Sequence, residues 1–253
     1  MSTCWALPTR GLFAFRMANE KESAIPSNEY DGAEDLTATA SEQSMDLSGL
    51  LVEPIKSEIA AELVEDHHYL HTMPGNTYYC YGLIGPDEFS MPLGVVTYGP
   101  PSGRHAIPNL FEEATTHDAL ELSRLWVDDR APKFSAGRLI SRSLKQLPAT
   151  TDRKIILTYC DGSRFDGTVF RATNWIRAGM TRGGRWQMWL DGKWYHPRAA
   201  RNRWGTENVK FLKEVYGSRL RVEWVDEGKH VFIYLLGSKR ERKQLRASLQ
   251  PFS

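Results

Sequence analysis

The sequence predicts an α/β fold, a mixed central sheet flanked by helices, with a β-rich basic extension at its C-terminal side. Three observations carry that prediction. Helical and alternating periodicities follow one another in the order βαβββαβα through the middle of the chain. The run Lys154-Ile155-Ile156-Leu157-Thr158-Tyr159 is apolar almost throughout, as a strand covered on both faces must be. Beyond Asn174 the pattern changes to segments rich in Trp and Arg and punctuated by glycines. Of the 253 residues 41% are hydrophobic and 25% charged, which is enough apolar material for a sizeable core.

The first 47 residues hold Ala, Ser, Thr, Glu and Asp without a helical or alternating period, and read as a disordered acidic tail. Met17 and Met45 are alternative starts. Leu50 to Ile55 reads as a short strand, and Ile59, Leu63 and His67 share one face of a helix ending near Tyr69. Tyr78 to Ile84 and Leu93 to Tyr98, with Gly85-Pro86-Asp87 between them, form an antiparallel hairpin. Ala119 to Val127 is the next strand, and a loop through Pro132 leads to a helix from Ser135, its N-cap, to Leu147, ended by Pro148. The buried strand follows, then a short helix from Asp166 to Thr173. Gly183-Gly184 and Asp191-Gly192 signal hairpin turns. A helix from Thr206 to Tyr216, strands near Arg219 to Val225 and His230 to Leu236, and a basic helix from Ser238 complete the chain. The expected division is a tail at 1–47, a catalytic domain at 48–180 and a basic extension at 181–253 packed on it.

No window approaches the roughly 18 consecutive apolar residues of a membrane span, and the first residues lack an export signal. Cys4, Cys80 and Cys160 have neither zinc-site spacing nor the density of a disulfide scaffold, which fits a reducing cytoplasm. The net charge of +1 conceals an asymmetry: residues 1–46 carry −5, 47–170 carry −5 and 171–253 carry +11. A basic third beside an acidic middle suits a polyanion met on one face, although a solvated surface gives the same count.

The strand, loop and helix from Leu120 to Leu147 form the most informative unit. A helix start after small residues presents free N–H groups, which suit a pyrophosphate. Ser135, Ala136 and Gly137 are the small residues here, with Arg130, Lys133 and Arg138 beside them. The element order and this loop resemble the GNAT superfamily of acyl-CoA N-acyltransferases. That resemblance implies an acetyl-CoA site made by the loop and by the main chain of Leu125 and Val127. Lys133 stands where the superfamily's first loop glycine would be.

Four further blocks occur in order: Asp66-His67-His68-Tyr69-Leu70-His71, Glu121-Leu122-Ser123-Arg124-Leu125, Tyr159-Cys160-Asp161 and Gly167 to Trp175. Together they resemble the Mom family of bacteriophage DNA-adenine modification proteins, from Val64 to the end of the chain. The resemblance implies a GNAT-like, acetyl-CoA-dependent enzyme placing a methylcarbamoyl-type group on adenine N6 in double-stranded DNA. It also implies a phage or prophage origin, protection of DNA from host restriction, and action in the cytoplasm of a bacterial host. The family tends to carry Gly-His before the Gly-Thr pair and Tyr where this chain has Phe170; here Phe165-Asp166-Gly167 precedes Thr168.

His68, Tyr69, Tyr159 and Asp161 are the candidate catalytic residues. The cluster of His67, His68 and His71 could bind a metal, act as base or contact substrate; its bland reading is a helix end favoured by the dipole, and no metal is assigned. Asp161 either orients an amine or caps the next helix. Arg124 needs a partner if it points inward. Asn174 and Trp175 either meet an extruded base or belong to the core. Arg198, Arg201 and Arg203, interleaved with Trp194, Tyr195 and Trp204, fit a nucleic-acid surface. An acyltransferase for a small amine or a protein, and a non-catalytic DNA-binding protein, are the alternative functions.

Overall fold

The computed structural model describes residues 46–86, 89–195 and 197–252. The acidic tail expected at 1–47 lies, up to residue 45, outside the described residues. The elements are β1 (Leu51–Pro54), α1 (Ser57–His67), β2 (Tyr79–Ile84), β3 (Gly94–Gly99), β4 (Ala119–Val127), α2 (Ser135–Gln146), β5 (Ile155–Asp161) and α3 (Thr168–Ala172). They continue with β6 (Ile176–Met180), β7 (Arg185–Leu190), β8 (Lys193–Tyr195), α4 (Pro197–Trp204), α5 (Val209–Tyr216), β9 (Leu220–Val225), β10 (Lys229–Leu235) and α6 (Lys239–Ser248). The βαβββαβα order therefore holds from β1 to α3. Among the described residues no helix is long and apolar enough to cross a membrane.

A seven-stranded sheet runs in the order β1-β2-β3-β4-β5-β10-β6, antiparallel except for the β4–β5 pair. The parallel pair needs a crossover, and α2 supplies it. Strand alternation divides the side chains between two covered faces. Tyr81, Val96, Tyr98, Leu120, Leu122, Ile156 and Phe232 meet Leu139, Ile140 and Leu144 of α2. On the opposite face Cys80 and Val95 meet Ala60, Leu63 and Val64 of α1. Farther along that face, Ile155, Leu157, Val231 and Ile233 pack under Ile107, Phe111 and Leu245 of α6. Burial on both faces explains the unbroken apolar run of β5. Truncating a ring such as Phe232, which is fully buried, costs about 3–5 kcal/mol.

A second, three-stranded sheet of order β8-β7-β9 packs Met188, Leu220 and Val222 against Ala200 of α4 and Leu212 of α5. Here the sequence expectations need correction. Asp191-Gly192 does turn β7 into β8, but Gly183-Gly184 joins β6 of the large sheet to β7 of the small one and is not a hairpin turn. Glycine is required at 183 because a Cβ there would collide with the Asp226 carbonyl of the adjacent return segment. That return carries β10 into the middle of the large sheet, so a boundary at 180 divides residues that share one sheet.

Ser135 is not an N-cap either. Phe134 holds that position in a left-handed conformation (φ 74°), and Ser135, already helical, donates its hydroxyl to the Pro132 carbonyl at 2.6 Å. The helix expected from Thr206 starts at Val209 because Asn208 caps it, accepting from the Lys210 and Phe211 N–H groups. Helix α4 was absent from the sequence expectation.

Candidate active site

The β4 and β5 strands pair in parallel only from Ala119–Ile155 to Leu122–Thr158, and then part. At the point of parting the Thr158 hydroxyl donates to the Leu122 carbonyl at 2.9 Å, replacing the next ladder bond. On its other edge β4 stays paired with β3 up to Val127, and the N–H of Asp128 donates to the Leu93 carbonyl. Main-chain groups of successive residues point to alternate edges, so those of Leu125 and Val127 turn toward the gap that β5 has left. The chain leaves β4 through the loop into α2, whose leading N–H groups have no partner within the helix.

On the sheet face shared with α1 and α6, a cavity of about 560 Å³ opens beside the parting. Its walls come from Tyr69 and the segment after it, from Glu121, Ser123 and Arg124 of β4, and from Tyr159 of β5. Thr181, Asn202 and Lys229 close it from the C-terminal third. Sequence reading singled out Tyr69, Arg124 and Tyr159; the structure brings all three to one cavity.

Helix α1 ends at His67 because His68 leaves the helical region (ψ 137°), and the three imidazoles separate there. His67 stacks on Trp126 with ring centres 4.6 Å apart, and His71 places Nδ1 2.8 Å from the Glu65 carbonyl. His68 turns inward and is buried. Its Nδ1 accepts the Leu70 N–H at 3.1 Å, which puts the proton of the neutral ring on Nε2. Burial, then the Arg124 charge, hold its pKa down at about 3. His68 is therefore a neutral hydrogen-bond donor through Nε2 near neutral pH, with Nδ1 engaged by the Leu70 N–H.

Tyr69 stacks on His68 at 4.4 Å and leans on Phe165 at 5.9 Å, while the Arg164 guanidinium lies 5.1 Å from its ring centre. Burial, then the Asp161 charge, push its phenol up to about 12, so it is a protonated donor at neutral pH. Tyr159 is likewise raised to about 12 by burial and by Glu121. The Cys160 thiol goes up to about 11, chiefly by burial, and is no thiolate nucleophile. Asp161 is 2% exposed. Burial opposes its charge, but hydrogen bonds from Ser163 and the Arg185 charge prevail and hold its carboxyl below the usual range. Its Oδ1 accepts from the Ser163 N–H and hydroxyl and is ion-paired with Arg185.

Two parts of this arrangement escaped the sequence reading. Glu121 lines the cavity and accepts the Ser102 N–H at 2.7 Å; its block was noted, but not its direction, which depends on the pleat of β4. Arg185 lies 24 residues beyond Asp161 in another sheet, and no local pattern announces the pair. Arg124, for which a partner was expected if it pointed inward, donates to the Thr72 carbonyl at 2.9 Å and to the Ser123 carbonyl at 2.7 Å.

The loop before α2 differs from the expected cationic clamp. Arg130 is committed to Asp128 at 2.7 Å, and Arg138 donates to the Leu50 carbonyl at 2.9 and 2.6 Å, tying α2 to the start of β1. Lys133 is exposed, 5.4 Å from the Phe134 ring centre. Ser135 is buried, whereas Ala136 and Gly137 are half-buried; a Cβ on Gly137 would make ordinary contact with Thr173. What this loop offers an anion is main-chain N–H and Lys133.

Trp175 lies in the core, 5% exposed, between Phe170 at 5.3 Å and Tyr234 at 5.6 Å, which leaves no ring face for a base. Asn174 beside it is exposed, in a left-handed conformation (φ 65°). On α4, Arg201 and Arg203 are exposed, with the Arg203 guanidinium 5.6 Å from the Tyr195 ring centre. The side chain of Arg198 lies outside the described residues.

A family model described as the Mom protein family matches residues 49–253. The methylcarbamoylase mom of Escherichia phage Mu is 28% identical over 153 residues, which are 58% of this chain and 60% of that relative's length. Among solved structures, Arabidopsis thaliana NAA60 in complex with acetyl-CoA is 12% identical, with a TM-score of 0.46 over 75% of this chain and 99% of that one. A ribosomal-protein-S5-alanine acetyltransferase from Vibrio fischeri is 11% identical, with a TM-score of 0.43 over 76% and 96%.

Proposed function

This chain belongs to the Mom protein family, and we propose that it is an acetyl-CoA-dependent enzyme that places a methylcarbamoyl-type group on adenine N6 of double-stranded DNA. It would act in the cytoplasm of a bacterial host, where such a group shields DNA from restriction. The observation that carries this reading is the parting of β4 and β5 beside a polar cavity that reaches α4 through Asn202. The name of the phage Mu relative supports the methylcarbamoyl assignment.

The residues along the β4 gap and the start of α2 suit acetyl-CoA. The main chain of Leu125 and Val127 faces the gap, and the first turn of α2 with Lys133 suits a pyrophosphate. When bound, the cofactor would supply an activated acyl carbon as a thioester. Because a methylcarbamoyl group holds a nitrogen that an acetyl group lacks, and joining it to N6 removes two electrons as well, the complete reaction takes a nitrogen donor and a two-electron oxidant besides acetyl-CoA. The protein's own contribution is reception of the base and placement of donors and charge. A cavity of about 560 Å³ accommodates one nucleobase, which must leave the duplex to enter. Tyr69, protonated across the neutral range, donates to developing negative charge. Glu121 holds an acceptor oxygen in the cavity for an amine, the ionised Asp161 sets negative charge behind the cavity wall, and the exposed arginines of α4 engage the phosphates.

The direct test is mass spectrometry of nucleosides from DNA of cells expressing this chain. A mass-shifted deoxyadenosine is expected, absent when Tyr69→Phe is expressed at the same level. Unmodified adenine throughout removes this function.

A further inference from the structure

The ion pair between Asp161 and Arg185 differs from the others on this molecule. Arg219–Asp191 and Arg171–Asp166 stand in solvent, with side chains between 49% and 72% exposed. In the Asp161–Arg185 pair the exposures are 2% and 15%. Taking two charges out of water is costly, and a packed apolar pair often serves stability as well. The arrangement even leaves the buried Nε of Arg185 without a partner. What the pair provides is geometry.

Arg185 begins β7, and its Nη1 is fixed to the Glu227 carbonyl at 2.5 Å, so the guanidinium is braced on the return segment into β10. Its Nη2 meets Asp161 Oδ1 and stands 3.2 Å from Ser163 Oγ. Gln187, two residues along the same strand face, donates to that Oγ at 3.2 Å. Ser163 in turn gives Oδ1 its N–H at 3.1 Å and its hydroxyl at 2.7 Å. Three of these bonds, from Arg185 Nη2 and from the Ser163 N–H and hydroxyl, converge on Asp161 Oδ1, and the bonds of Gln187 and Arg185 to Ser163 Oγ brace them. Asp161 itself stands directly behind the cavity wall. Tyr159, two residues earlier, and Lys229, its partner across the β5–β10 ladder, both line the cavity.

We propose that Arg185 is a positioning residue of the active site, through which the second sheet fixes the Asp161 carboxylate by Oδ1 and sets its charge behind Tyr69. The proposal rests on the reading of this cavity as the active site. Arg185 acts through Asp161, whose negative charge adds to burial in raising the Tyr69 phenol. Charged and titratable groups around these two are His68 at the end of α1, Arg124 of β4, Cys160 of β5, Arg164 of its following loop, Arg185 of β7 and Lys229 of β10. Removing the Arg185 cation leaves burial as the dominant influence on Asp161, so its titration moves upward.

The test is a ¹³Cγ titration of Asp161 in the full chain, with kinetics of DNA modification in parallel. In R185Q the Asp161 midpoint is expected to rise by about 1–3 pH units, the change an adjacent cation makes. The acid limb of kcat should move up with it while KM for DNA stays the same, and R185K, which restores the charge, should return the midpoint toward wild type. An unmoved midpoint overturns the proposal. So does a DNA-affinity salt slope reduced by about 1 unit, which would make Arg185 a phosphate contact. Should R185Q lose cooperative unfolding, S163A carries the test, since it removes one Oδ1 donor and leaves the cation; a raised midpoint with reduced kcat is expected, and wild-type values for both overturn the proposal. If the wild-type chain modifies no DNA, the enzymatic reading falls, while the titration still decides whether Arg185 controls Asp161.

Discussion

The entry into α2, from Arg130 to Arg138, and helix α4 both carry arginines, and they dispose of their charges in opposite ways. In the first, Arg130 of the loop closes on Asp128, and Arg138 of the helix reaches back to the Leu50 carbonyl. On α4, Arg201 and Arg203 stand in solvent, beside an aromatic ring in the case of Arg203. Equal-looking cation counts thus mean different things. The first segment turns its guanidinium groups to its own fold and leaves main-chain N–H for an anion; the second leaves the guanidinium groups themselves. The cavity has β4, the strand that leads into the first segment, on one side and Asn202 of the second on the other.

The largest expected effect falls on that cavity. Tyr69→Phe removes one hydroxyl and keeps the ring against Phe165, so turnover should drop by about 100-fold or more while acetyl-CoA and DNA affinities hold. Undiminished turnover, measured on modified nucleosides, would break the idea that this cavity is the site. His68 gives a pH signature. Its folded pKa of about 3 lies below the ordinary 6.5, so the unfolded chain binds a proton in that window that the native chain does not. Stability should be fully present above about 6.5 and fall as pH drops toward 3, by up to about 1.4 kcal/mol per unit. Chemical denaturation of His68→Asn across pH 4 to 7 should give a flatter profile; an equal slope would mean that His68 is not buried neutral.

Arg138→Ala sharpens the comparison from the loop side. Losing charge-assisted bonds to the Leu50 carbonyl should cost about 1.5–3 kcal/mol of stability and leave acetyl-CoA affinity close to wild type. Calorimetry showing the reverse would return this arginine to the cofactor. Arg130→Ala, whose pair with Asp128 is exposed, should leave the unfolding midpoint unchanged at ordinary salt.

Much of this fold is legible in the sequence because a strand such as β5 declares itself through a near-continuous apolar run, and the lengths of β4 and β5 were read to within two residues. The errors share a physical origin. Phe134 caps α2 with a positive φ, a conformation costly enough for a bulky residue that no sequence rule would put it there. Gly183-Gly184 has the composition of a hairpin turn, yet serves the close crossing of two links between sheets. Helix α4 was hidden because Trp and Arg dominate its segment, although Ala200 and Trp204 have helical spacing and both pack inward. At the site, residue types near Asp161 and His68 could be named in advance. Ring directions, tautomer and the Arg185 partner arise only where α1 ends and the second sheet returns.

The claim that separates the two basic segments is tested most directly by the salt dependence of DNA affinity in the Arg201→Ala/Arg203→Ala double variant. If both guanidinium groups meet phosphates, the slope of log affinity against log salt should shrink by about 2 units, at roughly 0.9 per contact. Acetyl-CoA affinity and the unfolding midpoint should match wild type. An unchanged slope would contradict the assignment of α4 to DNA, and the opposition between the two segments with it.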